Sequence, residues 1–153
     1  MRLKDILEKL CIIPSLHSTA KLDVIHELAG VIAQNHTNLQ TEDLVAVLIE
    51  RENLGSTGIG NGVAIPHGKM KGVSKIIAAF GKSDKGVEFG SQDDRPAYLF
   101  FVLVAPENAA GQHLKALAKL SRILKNPDFR TRLMRAATQD EIFNLIMTED
   151  EKS

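Results

Sequence analysis

The chain has few cysteines and no surplus of either charge. Its 153 residues include one cysteine, Cys11, and no tryptophan, and its 19 basic side chains balance 19 acidic ones. A single cysteine excludes an internal disulfide and a cysteine-rich zinc site. We expect Cys11 to be a small buried apolar residue. The balanced charge, without a basic stripe, argues against a nucleic-acid partner.

Long hydrophobic runs are also missing. The longest, residues 97–105, is far shorter than a membrane span, and the N-terminal segment lacks the apolar stretch of a signal peptide. We therefore expect a cytoplasmic protein without membrane insertion. Its length and ordinary composition predict that residues 1–153 form one domain.

Apolar residues recur at intervals of three and four in the first and last thirds of the chain, which is the pattern of amphipathic helices. In the first third, this pattern predicts helices over residues 3–10 and 18–35, and a third from Thr41 to the glycines that begin at Gly55. Ser18 and Thr41 are the expected N-caps, and Gly55 can end the third helix in the left-handed conformation.

Three more helices are predicted after Pro106. The first carries one apolar stripe of Leu114, Leu117, Leu120, Ile123 and Leu124. Pro127 opens a short second helix, and Thr138 with Glu141 forms a capping box for the last.

The middle of the chain favours strands. Extended segments are predicted at residues 11–13, 63–65, 76–80, 87–89 and 98–104. The last is apolar on both faces, as expected of a central strand that is covered on each side. Most connections are too short for helical crossovers, so the sheet should be mixed. The predicted fold class is α/β with α+β character, a mixed sheet flanked by helices.

Four glycines fall within residues 55–62, and a strand pattern follows them. A phosphate-binding loop of the Walker type needs a lysine and a helix after its last glycine, and a dinucleotide fingerprint needs a strand before the glycines. The order here is reversed, which argues against both kinds of nucleotide site. Consecutive amides in such a loop can form an anion-binding nest, for which Ser56, Thr57 and Gly58 are the candidates.

His67 follows a strand that Pro66 should end, because proline cannot continue a central ladder. A histidine held at a strand terminus on a stiff support is a good position for chemistry, and a neutral imidazole is a nucleophile at physiological pH. Arg51 could bind two phosphate oxygens at once; a surface ion pair with Glu50 or Glu52 is the alternative. His113, near a predicted helix start, is a further candidate. No metal-ligand spacing links these histidines, so no metal is expected.

These residues resemble those of the type-2 enzyme IIA domains of the bacterial phosphoenolpyruvate:sugar phosphotransferase system, the mannitol/fructose class. The resemblance rests on Arg51-Glu52 before the glycine loop, on Ala64-Ile65-Pro66-His67-Gly68 and on His113. The loop itself, residues 55–62, looks most like the nitrogen-regulatory branch of the family.

The resemblance implies that His67 accepts a phosphoryl group at Nε2, the tele position, from a phosphohistidine on an HPr-like carrier (NPr in the nitrogen branch), with Arg51 and His113 steadying it. It implies no cofactor. Regulatory targets would be potassium transporters or sensor kinases. Two alternatives stay open: a sugar-specific domain that passes the phosphoryl group to a IIB domain, and a binding module that has lost the chemistry. The resemblance favours a phosphocarrier over an enzyme that turns over a metabolite.

Overall fold

The computed structural model describes all residues 1–153, as one six-stranded sheet with five α-helices. The strands are β1 (Leu7–Ile13), β2 (Gly58–Gly60), β3 (Val63–Ala64), β4 (His67–Met70), β5 (Ile77–Val87) and β6 (Ala97–Pro106). The helices are α1 (Lys21–Asn35), α2 (Thr41–Glu52), α3 (Ala110–Ile123), α4 (Pro127–Arg135) and α5 (Gln139–Lys152). A short 3-10 turn, Leu3–Asp5, precedes β1.

The sheet is mixed, as the short connections predicted. Its order is β1-β5-β6-β3-β2. β4 also pairs with β6, at residues that follow those paired with β3. β5 runs antiparallel to β6, whereas β1 is parallel to β5 and both β3 and β4 are parallel to β6. The predicted segment at residues 87–89 is not a separate strand: β5 continues through a register irregularity to Val87.

β6 is the central strand and divides the apolar core in two. Leu99, Phe101 and Leu103 pack into a cluster with α3, α4 and α5 on one face. Phe100 and Val102 pack into a second cluster with α1 and α2 on the other. The prediction of a strand covered on each side by helices is therefore confirmed.

The predicted helix over residues 3–10 is wrong. The chain makes one 3-10 turn and then enters β1, whose pairing with β5 outweighs the local helical spacing. Leu7 and Ile12 both reach the core because the register shifts between them. Leu10, which helical spacing would place on the same face as Leu3 and Leu7, is 61% exposed.

The starts of the second and third predicted helices are displaced as well. α1 begins at Lys21 after Ala20, and the backbone N–H of Ser18 donates instead to the Glu27 carboxylate at 3.0 Å. Thr41 is the first helical residue of α2, and Gln40 precedes it as the N-cap. The side chains of Ser18 and Thr41 therefore do not cap, although both helices end close to the expected positions.

The last two helices, α4 and α5, begin where the sequence predicted. Pro127 stands in the first turn of α4, and the Thr138 hydroxyl accepts from the Glu141 backbone N–H at 3.1 Å. In α3, however, Leu114 is 68% exposed, and the buried positions are those of His113, Ala116, Leu120 and Ile123. None of the helices combines the length and apolar character needed to cross a membrane.

The strand that carries His67 is interrupted at Pro66 and then resumes. β3 and β4 keep the same register against β6, with Ala64 opposite Phe100 and His67 opposite Leu103. The Pro66 carbonyl still accepts from the Leu103 backbone N–H at 3.0 Å, although proline has no N–H to donate. The prediction that the strand ends at Pro66 is confirmed, since β3 stops at Ala64, but a further strand that was not predicted, β4, begins directly at His67.

Candidate functional site

A cleft of about 430 Å³ opens where α2 ends, β4 begins and α3 begins. It brings together three of the residues predicted from the sequence, Arg51, His67 and His113. The other lining residues are Val47, Glu50, Leu54, Gly68, Lys69, Ala110, Leu114 and Leu117.

The imidazole of His67 is held in one tautomer. Its Nδ1 lies 2.7 Å from the carbonyl oxygen of Ile65. A carbonyl only accepts hydrogen bonds, so Nδ1 carries the proton and the lone pair of the neutral ring lies on Nε2. Burial lowers the pKa of His67, the Ile65 carbonyl opposes that shift, and the Arg51 charge lowers the pKa again. The ring is therefore neutral at physiological pH, with Nε2 as the nucleophilic atom.

His113 packs against His67, with the ring centroids 5.4 Å apart and the planes 74° to one another. His113 is 4% exposed, and its Nε2 has no hydrogen-bond partner. Burial, and after it the neighbouring His67 and Lys69, lower the pKa of His113 to about 4. This second ring is a neutral group with an unsatisfied polar atom beside the nucleophile.

Arg51 stands in the last turn of α2, where a cation is favoured by the helix dipole. One of its guanidinium nitrogens donates to the Gly55 carbonyl oxygen at 2.8 Å. Neither Glu50 nor Glu52 pairs with it, which rules out the ion pair that the sequence left open. No carboxylate therefore compensates the guanidinium charge at the cleft.

Glu52, the last residue of α2, holds the start of the glycine loop in place. Both the backbone N–H and the hydroxyl of Thr57 donate to this buried carboxylate, and Lys21 pairs with it at 2.9 Å. The hydroxyl of Ser56 donates to the Phe89 carbonyl and accepts from the Gly58 backbone N–H. Ser56, Thr57 and Gly58 therefore have internal partners and do not line the cleft with His67.

Sequence reasoning missed Lys69, which follows His67 by two positions on β4 and lines the same cleft. Alternate residues of a strand share a face, so a strand prediction that continued past Pro66 would have found it. It also missed the exposed apolar rim, where Leu54 is 82% and Leu114 is 68% exposed. Only the tertiary arrangement of the end of α2, β4 and the start of α3 around one cleft brings these leucines together.

The chain belongs to the family described as phosphoenolpyruvate-dependent sugar phosphotransferase system, EIIA 2, which matches residues 5–149. It is 36% identical over 146 residues to a nitrogen regulatory protein of Bradyrhizobium diazoefficiens, covering 95% of each chain. It is 35% identical to part of the fructose-specific EIIABC component of Bacillus subtilis, covering 98% of this chain and 24% of that protein.

Solved structures show the same fold. The crystal structure of the nitrogen regulatory protein IIA-Ntr from Neisseria meningitidis superposes with a TM-score of 0.88 at 33% identity, covering 94% of this chain and 98% of the other. The IIA mannitol structure from Escherichia coli superposes with a TM-score of 0.76 at 24% identity, covering 91% and 97%. The predicted family and the α/β fold class are confirmed.

Proposed function

We propose that this protein is a cytoplasmic phosphocarrier in which Nε2 of His67 accepts a phosphoryl group from the phosphohistidine of an HPr-like carrier. The observation that carries the proposal is the hydrogen bond from His67 Nδ1 to the Ile65 carbonyl, because it leaves the Nε2 lone pair free. The depressed pKa of His67 supports the same role, since a protonated ring has no lone pair to attack with.

Charge compensation falls to the cations of the cleft. A phosphoryl group adds between one and a half and two negative charges, roughly. Arg51 and Lys69 line the cleft, while the Glu52 carboxylate is paired with Lys21 and the Thr57 N–H. We assign the main contact with phosphoryl oxygens to Arg51, whose planar guanidinium can bind two of them. His113, with an unpartnered Nε2, would donate to a third when that nitrogen carries the proton.

The carrier would dock on the apolar rim. Leu54 and Leu114 present exposed side chains at the cleft, and apolar residues around a reactive centre suit a transient protein partner. The proposed partners are therefore an HPr-like carrier, NPr in the nitrogen branch, and downstream proteins that recognise the same face, such as potassium transporters or sensor kinases. No nucleic acid is expected among them.

We favour a regulator over a sugar-uptake component. Two relatives at 36% and 33% identity, matched over 95% and 96% of their own length, are nitrogen regulatory proteins, and the glycine loop resembles that branch. The second candidate is a sugar-specific domain that donates to a IIB domain, which the 35% identity to the B. subtilis fructose component supports.

The direct test is incubation with phosphoenolpyruvate, enzyme I and an HPr-like carrier. We expect one acid-labile phosphoryl group per chain, assigned to Nε2 of His67 by phosphorus NMR and absent from His67→Ala. If His67 gains no phosphoryl group while the carrier is phosphorylated, the proposal is wrong.

A pull-down with the unmodified and phosphorylated forms then separates regulator from relay. A regulator binds a target in only one of the two forms. A sugar component instead loses its phosphoryl group rapidly to an added IIB domain.

A further inference from the structure

A second cluster of chemically active side chains lies on the sheet edge that β1 forms. The carboxylate of Glu8, the thiol of Cys11 and the imidazole of His36 place one oxygen, one sulfur and one nitrogen within 4.8 Å of one another. We propose that these three residues form a binding site for a divalent transition-metal ion, Zn²⁺ by the chemistry of the ligands. The inference is independent of the phosphoryl chemistry at His67.

The register irregularity of β1 brings two of the ligands together. Leu7 lies opposite Ala78 and Ile12 opposite Phe80, so the four residues between Leu7 and Ile12 face a single partner position. Residues three apart on a regular strand point to opposite faces. The bulge removes that alternation and brings the Glu8 carboxylate towards the Cys11 thiol, as bulges do where a side chain is re-aimed.

His36 supplies an independent indication of a ligand. Its Nε2 is inaccessible and has no hydrogen-bond partner, and it stands 3.8 Å from the Glu8 carboxylate, beyond hydrogen-bond distance. An unsatisfied buried nitrogen is unfavourable by about 1–3 kcal/mol unless something occupies it. A metal ion between His36, Cys11 and Glu8 would satisfy it.

The spacing suits a tetrahedral ion. Bond lengths of about 2.0–2.3 Å to nitrogen, oxygen and sulfur place neighbouring ligand atoms roughly 3.3–3.7 Å apart in a tetrahedron. The observed separations, at most 4.8 Å, exceed that range by up to roughly 1.5 Å. The exposed Glu8 side chain can move to close the gap, and solvent would take the remaining coordination position.

Metal binding has to offset the cost of ionising Cys11. The Cys11 thiol donates to the Val31 carbonyl at 3.9 Å, and burial with the Glu8 charge raises the pKa of this thiol to about 11, so the surroundings disfavour a thiolate until a cation is bound. On binding, the metal displaces the thiol proton to solvent and a metal–sulfur bond forms. The Val31 carbonyl keeps a partner, because Asn35 Nδ2 donates to it at 2.8 Å.

Charge also favours a cation here. His36 is the C-terminal cap residue of α1, so the site lies at the negative end of that helix dipole. One thiolate and one carboxylate would neutralise a divalent ion. The metal would join β1 to the end of α1, two elements that are otherwise held by apolar packing and by a hydrogen bond from Asn35 Nδ2 to the Leu10 carbonyl oxygen at 3.5 Å.

Titration with Co²⁺ tests the site directly. Because Cys11 is the single cysteine, a sulfur-to-cobalt charge-transfer band can arise only from this residue. Cobalt bound by histidines elsewhere in the protein would not produce it. We expect the band to appear at one Co²⁺ per chain, with intense visible bands of tetrahedral cobalt, and to be displaced by Zn²⁺. We also expect Zn²⁺ to raise the melting temperature.

Variants locate the ligands. Cys11→Ser should abolish the band, and His36→Gln should weaken cobalt binding by at least roughly tenfold, with folding checked by circular dichroism. Glu8→Gln should weaken it less. His26→Gln is the matched control, because His26 lies 3.6 Å from the Glu42 carboxylate with no cysteine nearby. This variant should bind cobalt as the native protein does. The absence of a charge-transfer band in the native protein, or an unchanged band in His36→Gln, would overturn the proposal.

Discussion

The guanidinium of Arg51 donates a hydrogen bond to the Gly55 carbonyl oxygen, four residues further along the chain, at 2.8 Å. This contact joins the last turn of α2 to the glycine loop and orients the arginine at the cleft that contains His67. The glycine loop therefore positions a cation.

Arg51→Ala should slow phosphoryl acceptance more than His113→Ala does. Removing a charged contact to the reacting phosphoryl group lowers the rate by on the order of 100-fold, whereas losing one neutral hydrogen bond corresponds to about tenfold. Stopped-flow transfer from the phosphorylated carrier measures both rates. Comparable rates for the two variants would refute this ranking.

Glu52→Gln should destabilise the protein by about 3 kcal/mol and slow phosphoryl acceptance as well. The buried carboxylate pairs with Lys21 and accepts from the Thr57 N–H, and removing one partner of a buried pair leaves the other uncompensated. The loosened loop would no longer hold Arg51. Urea unfolding and the transfer rate are the measurements. Glu42→Gln on the exposed face of α2 is the control, and equal effects of the two changes would contradict the prediction.

The exposed leucines Leu54 and Leu114 should matter for carrier binding and not for folding. Covering either one at an interface contributes about 1.5–3 kcal/mol, so we expect Leu54→Ser and Leu114→Ser each to raise the Kd for the carrier at least about tenfold. Calorimetry with the carrier checks this. Leu22→Ser on α1, also an exposed leucine, is the control and should leave binding unchanged.

Gly68→Ala should destabilise the protein by forcing α2 and β4 apart. A Cβ at this position would overlap the Val47 side chain on α2, and such overpacking is unfavourable by about 1–3 kcal/mol. The double variant Gly68→Ala, Val47→Ala should recover part of the loss, measured by thermal unfolding. Gly30→Ala in α1, where a Cβ meets nothing within 4 Å, should instead stabilise the protein slightly. A neutral Gly68→Ala would show that the two elements can move apart freely.

Acidification should destabilise the protein through His113. Its folded-state pKa of about 4 lies below the ordinary histidine pKa of 6.5, so the unfolded chain binds a proton that the folded chain excludes. Stability is fully present above about pH 6.5 and falls as pH drops towards 4, by roughly 3 kcal/mol. The lowered pKa of His67 acts in the same direction.

Unfolding free energies of the native protein and His113→Asn between pH 7 and 4.5 test this linkage. The variant should lose less stability on acidification than the native protein. Identical pH dependences of the two proteins would show that His113 is not the group responsible.

Much of the fold follows from local patterns in the sequence. The apolar run in β6, the proline that opens α4 and the capping box of α5 act within a few residues, so each predicts its element correctly. Local patterns mislead where pairing with a distant strand decides the structure. The spacing of Leu3, Ile6, Leu7 and Leu10 is helical, yet β5 draws this segment into the sheet.

The site divides in the same way. The sequence by itself determined that His67 follows Pro66 and that Arg51 precedes a glycine-rich loop, because these are neighbours along the chain. Only the tertiary structure decided that the His113 ring packs against His67 and that Leu54 and Leu114 line the same cleft. Such distances depend on how β4 and α3 pack around β6, and no local propensity fixes that packing.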